Sequence, residues 1–180
     1  ATGGAIVIPP TGAAHQVDDT LTHPAKPMSV IGAHPELSII ESTATASLKH
    51  GLTFTRSHHV RNLTIKTSAS LASNYSMYGV RMDLDGVTVS GGNLAVKWES
   101  VKVRGFNNSF YCDGGDAYNV DRLYFNDLDA QCSGPASTYI GSCLYINRVT
   151  QVYGTHSQFD QNSTGEHAIY CFGSKNLVFD

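Results

Sequence analysis

Three short stretches of this 180-residue chain hold paired carboxylates: "MDLDG" with Asp83 and Asp85, "CDGGD" with Asp113 and Asp116, and "NDLDA" with Asp127 and Asp129. Two carboxyl groups roughly 5–9.5 Å apart can hydrolyse a glycosidic bond, one of them protonating the leaving oxygen. A polysaccharide lyase needs instead a base for the proton beside a uronate carboxylate, and a cation or Arg to stabilise the charge that develops. Asp113 and Asp116 flank two glycines in a predicted turn, so both can project from one loop, with Phe110, Tyr111 and Tyr118 close by. Asp127 follows about half a structural repeat later and would approach from an adjacent face. The expected site is a cleft with Asp113, Asp116 and Asp127 as catalytic candidates and Tyr111 and Tyr118 against the substrate. Asp-Gly pairs are also ordinary turn chemistry. Turn formation and cation binding therefore compete with catalysis for the same residues.

The other reactive groups are scattered. "SHHVRN" places His58 and His59 in a predicted solvated turn, and Trp98 closes the alternating run "LAVKW", where packing beside Phe106 is its expected role. The four cysteines, Cys112, Cys132, Cys143 and Cys171, form no C-x-x-C, so no zinc site is expected. Three of them lie in apolar text ("FYC", "SCLYI", "IYCF") and read as small buried hydrophobes, with disulfides as the alternative. No cofactor and no metal is implied.

Composition narrows the class. Charged residues make up only 15% of the chain, against about 25% in a typical globular protein, while Ser, Thr, Asn and 17 Gly are abundant. That suits many short strands joined by polar turns. A net charge of −3 without a Lys/Arg cluster argues against nucleic-acid binding. No apolar run approaches the 18 or so residues of a membrane-spanning helix. The opening "ATGGAIVIPP" has no basic segment and does not read as a signal peptide.

The elements that must carry these side chains repeat. "VRNLTIKT" is echoed by "LDGVTVSGG", "WESVKVRGF", "VDRLYFND", "INRVTQVYG" and "SKNLVFD". The first apolar residues of the echoes are Leu63, Val87, Val101, Leu123, Val149 and Leu177, and most intervals fall between 22 and 28 residues. Repeats of that length are the mark of a solenoid. The 14 residues from Val87 to Val101 are too few for a turn, which sets these two on different sides of one coil. Most echoes follow a partner strand: "LTFTR", "VRMDL", "LAVKW", "CLYI" and "AIYCF". Period-two alternation buries one face of each. The only helix-like text is "STATASLKHG", residues 42–51. Like strands one period apart favour stacking at about 4.8 Å, so the expected fold is an all-β, right-handed parallel β-helix. Leu63 and Ile65 should point inward, with Asn62 at the bend. Residues 1–50 supply the opening strands and first coils, and 51–180 the continuing coils. The chain begins and ends in apolar strand-like text, whereas the terminal repeats of an array carry a polar cap. A segment of a longer chain, or ends covered by partner chains, is expected.

"GGAIVIPPTG", from Gly3 through Ile6, Ile8 and Pro9, followed by Ile31-Gly32 to Ile39-Ile40 and then by "NLTI" phrases, resembles the pectate-lyase-like β-helix superfamily. Its usual opening is G-G-x-I-x-[LIV]-P-x-G. The "D-D-T" segment that normally precedes this turn is absent there; Asp18, Asp19 and Thr20 come after it. The "N-T-D", "G-D-D", "G-H-G" and "R-I-K" phrases of polygalacturonases are also absent. With loosely conforming coils and no lyase or hydrolase signature, the resemblance points most to a bacteriophage tailspike or tail fibre. It implies a homotrimer on the virion tail, in contact with other tail proteins, that recognises and often depolymerises bacterial surface polysaccharide. The alternatives are a secreted polysaccharide lyase or glycoside hydrolase of this fold, and a non-catalytic structural or adhesive β-helix.

Overall fold

A computed structural model describes residues 3–11, 13–22, 26–43, 50–68, 77–87, 89, 93–132, 141–161 and 167–180. Every strand pair in it is parallel, and no helix occurs among the described residues. The "STATASLKHG" expectation falls mostly on residues outside those described. Its first residue, Ser42, ends a strand.

The chain winds as a parallel β-solenoid of two sheets. Sheet A stacks β1 (Gly4–Ile8), β4 (Met28–Gly32), β7 (His58–Thr67), β9 (Leu94–Arg104), β11 (Val120–Cys132), β13 (Val149–Thr155) and β16 (Leu177–Phe179) in that order. Its side ladder adds β2 (His15–Val17), β5 (Ile39–Ser42) and β14 (Gln158–Gln161). Sheet B stacks β3 (Leu21–Thr22), β6 (Leu52–Phe54), β8 (Tyr78–Asp83), β10 (Asn108–Asp113), β12 (Ser142–Asn147) and β15 (His167–Phe172). Strands before residue 50 pair within the same two sheets as those after it.

Alternation builds the interior. In sheet A, Ile6, Val30, Val60, Trp98, Phe125, Gly154 and Phe179 share one register column. Gly154 is required there: a Cβ would lie 2.1 Å from Phe125 Cζ, because that ring fills the space between two rungs. Beyond the corner run Ile40, Ile65, Val103 and Ala130, and in sheet B Leu52, Val80, Phe110 and Leu144. All of these residues between positions 30 and 144 are buried, and each large one contributes about 1.5–3 kcal/mol by leaving water.

Strands β7, β9 and β11 are each two half-strands around a corner. Asn62, Ser100 and Asp127 occupy equivalent corner positions with φ of 55°, 49° and 53°, and His156 has 47° between β13 and β14. That conformation costs most L-residues about 1–2 kcal/mol, with Asn and Asp the least penalised. Leu63 and Ile65 point inward and Asn62 makes the bend, as their sequence pattern implies.

Three expectations change. Register partners recur after 24 residues (Gly4 to Met28), 30 (Met28 to His58), 38 (His58 to Val96), 27 (Val96 to Leu123), 29 (Leu123 to Val152) and 25 (Val152 to Leu177). The spread is wider than 22–28 because the number of residues between stacked strands differs from coil to coil. Val87 is no rung: it is exposed and lies in a turn closed by its N–H to the Leu84 carbonyl. His58 and His59 lie in β7 rather than a solvated turn. His58 is buried and stacks on Phe54 with centroids 3.8 Å apart, and its Nε2 accepts the Trp98 indole N–H at 3.0 Å. Because indole only donates, His58 Nδ1 carries the proton and donates to the Arg56 carbonyl at 3.1 Å.

Candidate functional site

The outer face of sheet B follows from the same alternation. With Phe110 and Cys112 turned into the core, Tyr111 and Asp113 face outward, and Tyr145 and Asn147 do so one coil on. Arg81, Tyr111, Tyr145 and Tyr170 form one register column. Their rings make a row along the solenoid axis. Tyr111 stacks on Tyr145 at 4.6 Å and 7°, and Tyr145 on Tyr170 at 5.1 Å and 13°. Tyr78 extends the row edge-on to Tyr111 at 4.8 Å, and the Arg81 guanidinium caps it 5.3 Å from the Tyr78 ring. Stacked faces cover one another, and Tyr78, Tyr111, Tyr145 and Tyr170 are each half-buried. Burial pushes the phenols of Tyr78, Tyr111 and Tyr145 above their ordinary pKa, so these hydroxyls stay protonated.

The row ends beside a polar knot. Asp113, the last residue of β10, is only 2% exposed although it faces outward. Arg148, at φ 52° between β12 and β13, lies against it and accounts for the burial. Asp113 Oδ1 accepts the Gly115 N–H at 2.8 Å, while Oδ2 accepts Asn147 Nδ2 and Arg148 Nη2, both at 2.9 Å. Gly115 has φ 68° and its Cβ would lie 2.4 Å from the Leu84 carbonyl oxygen, so only glycine fits the turn. Arg148 also pairs with Asp116 and reaches Asp85 at 3.2 Å. The Asp113 hydrogen bond is the chief cause raising the Arg148 pKa.

The structure thus brings Asp113 and Asp116 together on one guanidinium, as two arms of one turn. It does not bring Asp127 to them. Asp127 is an exposed corner residue of β11, separated from that turn by Val120 to Asn126, about 23 Å of strand at 3.3 Å per residue. It lines shallow grooves with Lys102, His34 and His156. Tyr111 belongs to the row, whereas Tyr118 sits at φ 52° in the Asp116 turn, its ring 4.8 Å beneath the Lys175 ammonium. Asp113 has both oxygens engaged and almost no exposure, which makes it an anchor of the turn. Asp116, with a 90% exposed side chain, is the carboxylate that a ligand can reach.

Tyr78, Tyr145, Tyr170, Arg81 and Arg148 belong to this face and are not among the sequence-derived candidates. A signal for three tyrosines was present. The triplets "FYC" at 110–112, "LYI" at 144–146 and "IYC" at 169–171 repeat Tyr in one phase, between two inward residues. Arg148 had no such mark.

No family model, no curated protein and no solved structure matches this chain.

Proposed function

We propose that this β-solenoid recognises an extended bacterial surface polysaccharide along the outer face of sheet B, in the manner of a phage tailspike or tail fibre. The observation that carries the reading is the tyrosine row, with Tyr111, Tyr145 and Tyr170 on successive rungs and spaced 4.6–5.1 Å apart. A straight row of tyrosines suits a chain-like ligand rich in hydroxyl groups, whereas small molecules favour enclosed, mainly apolar pockets. Aromatic rows also bind single-stranded nucleic acid, but there a basic groove tracks the phosphates. Here Asp83, Asp113 and Asp116 flank the row and the chain carries −3.

The locked geometry of Asp113 favours recognition without cleavage at this turn. A hydrolase needs two available carboxyl groups, and Arg148 holds both Asp113 and Asp116. The homotrimer, the virion-tail location and the contact with other tail proteins belong to the same proposal and rest on the resemblance of the opening residues. A secreted lyase or glycoside hydrolase is the reading that an activity assay would restore. The test is incubation with purified capsular and O-antigen polysaccharides, with dextran as control, measuring retention on the glycan and oligosaccharide release. Retention without release is expected. Release that Asp116→Asn abolishes would make the turn a catalytic site, and absence of binding to every glycan would end the proposal.

A further inference from the structure

Four cysteines could form six different bonds, and the register rules out the one between Cys112 and Cys171. Cys112 and Cys171 are both register partners of Ile146, on opposite sides of it, so two strand spacings part them. That is about 9.6 Å between Cα atoms at 4.8 Å per strand, beyond the roughly 7 Å that a disulfide can span. Cys132 and Cys143 are different. Cys132 ends β11 and Cys143 is the second residue of β12, where the chain passes from sheet A to sheet B. Both are buried, their sulfurs lie 2.8 Å apart, and both point at the Asp160 carbonyl, Cys143 Sγ at 3.1 Å and Cys132 Sγ at 3.9 Å.

We propose that Cys132 and Cys143 are a cross-linking site, joined as a disulfide when the chain folds in the presence of a small-molecule disulfide such as oxidised glutathione. In the folded chain the hydrogen bond between them lowers the pKa of Cys132 and raises that of Cys143. During folding either thiol can react first, and the steps are the same with the two exchanged. The Cys132 thiolate attacks the oxidant, forming a mixed disulfide and expelling one thiolate. Cys143 then gives up its proton, and its sulfur attacks Cys132 Sγ, expelling the second thiolate. Two protein thiols are oxidised, one oxidant disulfide is reduced to two thiols, and these take the two protons. Burial of both sulfurs assigns the reaction to folding, before the coils pack around them, and shields the finished bond. The bond would close a short loop, where cross-links act by constraining the unfolded chain.

The test refolds the full chain with oxidised and reduced glutathione, alkylates it under denaturing conditions, and measures intact mass and a peptide map. The expected result is one linked peptide joining Cys132 to Cys143, with Cys112 and Cys171 alkylated. The melting temperature should be roughly 5–10 °C higher than that of the reduced protein. Cys143→Ser should abolish the difference between oxidised and reduced protein, and Cys112→Ser should leave it. Alkylation of all four thiols after oxidation, or a linkage through Cys112 or Cys171, overturns the assignment. Both results are read on the unaltered chain, so the test stands even where a variant fails to fold.

Discussion

The Asp113 carboxylate meets the Arg148 guanidinium at 2.9 Å, joining the end of β10 to the residue between β12 and β13 one coil away. This contact explains why an outward-facing aspartate is buried and why the turn after β10 is rigid enough to frame the tyrosine row. It also separates the two acidic residues of "CDGGD" by role: Asp113 builds, and Asp116 is exposed.

Replacing Asp113 and Asp116 should therefore have unequal effects. Asp113→Ala leaves Arg148 and Asn147 short of an acceptor and should cost about 2–4 kcal/mol. Asp116→Ala removes an exposed partner and should change stability by less than about 1 kcal/mol. Urea unfolding of the two variants checks this. Equal losses would mean that the Asp113 network is not what holds the turn.

Acid should weaken the fold through His50. This buried imidazole packs 5.0 Å from the Tyr78 ring and accepts a hydrogen bond from Arg81 Nη1 at 3.0 Å. Burial, then the Arg81 charge, pushes its pKa down to about 4. Between pH 6.5 and 4 the unfolded chain takes a proton that the native protein refuses, so stability falls as pH falls. The loss approaches about 3 kcal/mol by pH 4. Burial lowers the His59 pKa as well and adds loss of the same sign. Urea midpoints at pH 7, 6 and 5 should decline for the natural chain and decline less steeply for His50→Gln. Parallel slopes would remove His50 as the cause.

The corner at Asp127 should tolerate a change of charge but not of shape. Asp127→Asn keeps a residue at ease at φ 53° and should be near neutral, whereas Asp127→Val should cost about 1–2 kcal/mol. Thermal denaturation distinguishes them. Equal melting temperatures for the two variants would mean that the bend does not depend on a residue at ease at positive φ.

Much of this architecture was readable in the residues. The inward placement of Leu63 and Ile65 and the bend at Asn62 follow from alternation and from the tolerance of Asn for positive φ. Register was harder, because Leu63, Val101 and Leu128 follow the corner in their coils while Val96, Leu123 and Val152 precede it. Both columns carry the same apolar phrase, so the echoes mix the two, and Val87 shares the phrase although it lies in a turn. Ser100 hid the corner inside "WESVKVRG", since Ser does not advertise a left-handed conformation. His58 read as solvated because its partners, Trp98 and Phe54, become neighbours only when coils stack. The site was half legible for the same reason. Asp113, Asp116 and Tyr111 stand out locally, but Arg148 reaches them across 35 and 32 residues.

The most direct measurement is the affinity of the protein for a polysaccharide that it retains, compared between Tyr111→Ala and Tyr145→Ala on sheet B and Tyr124→Ala and Tyr153→Ala, which are exposed on sheet A. The account predicts at least a tenfold loss for each sheet B variant, about 1.4 kcal/mol or more, with the sheet A variants close to the natural chain. Undiminished binding by folded Tyr111→Ala and Tyr145→Ala, or a loss confined to Tyr124→Ala and Tyr153→Ala, would contradict it.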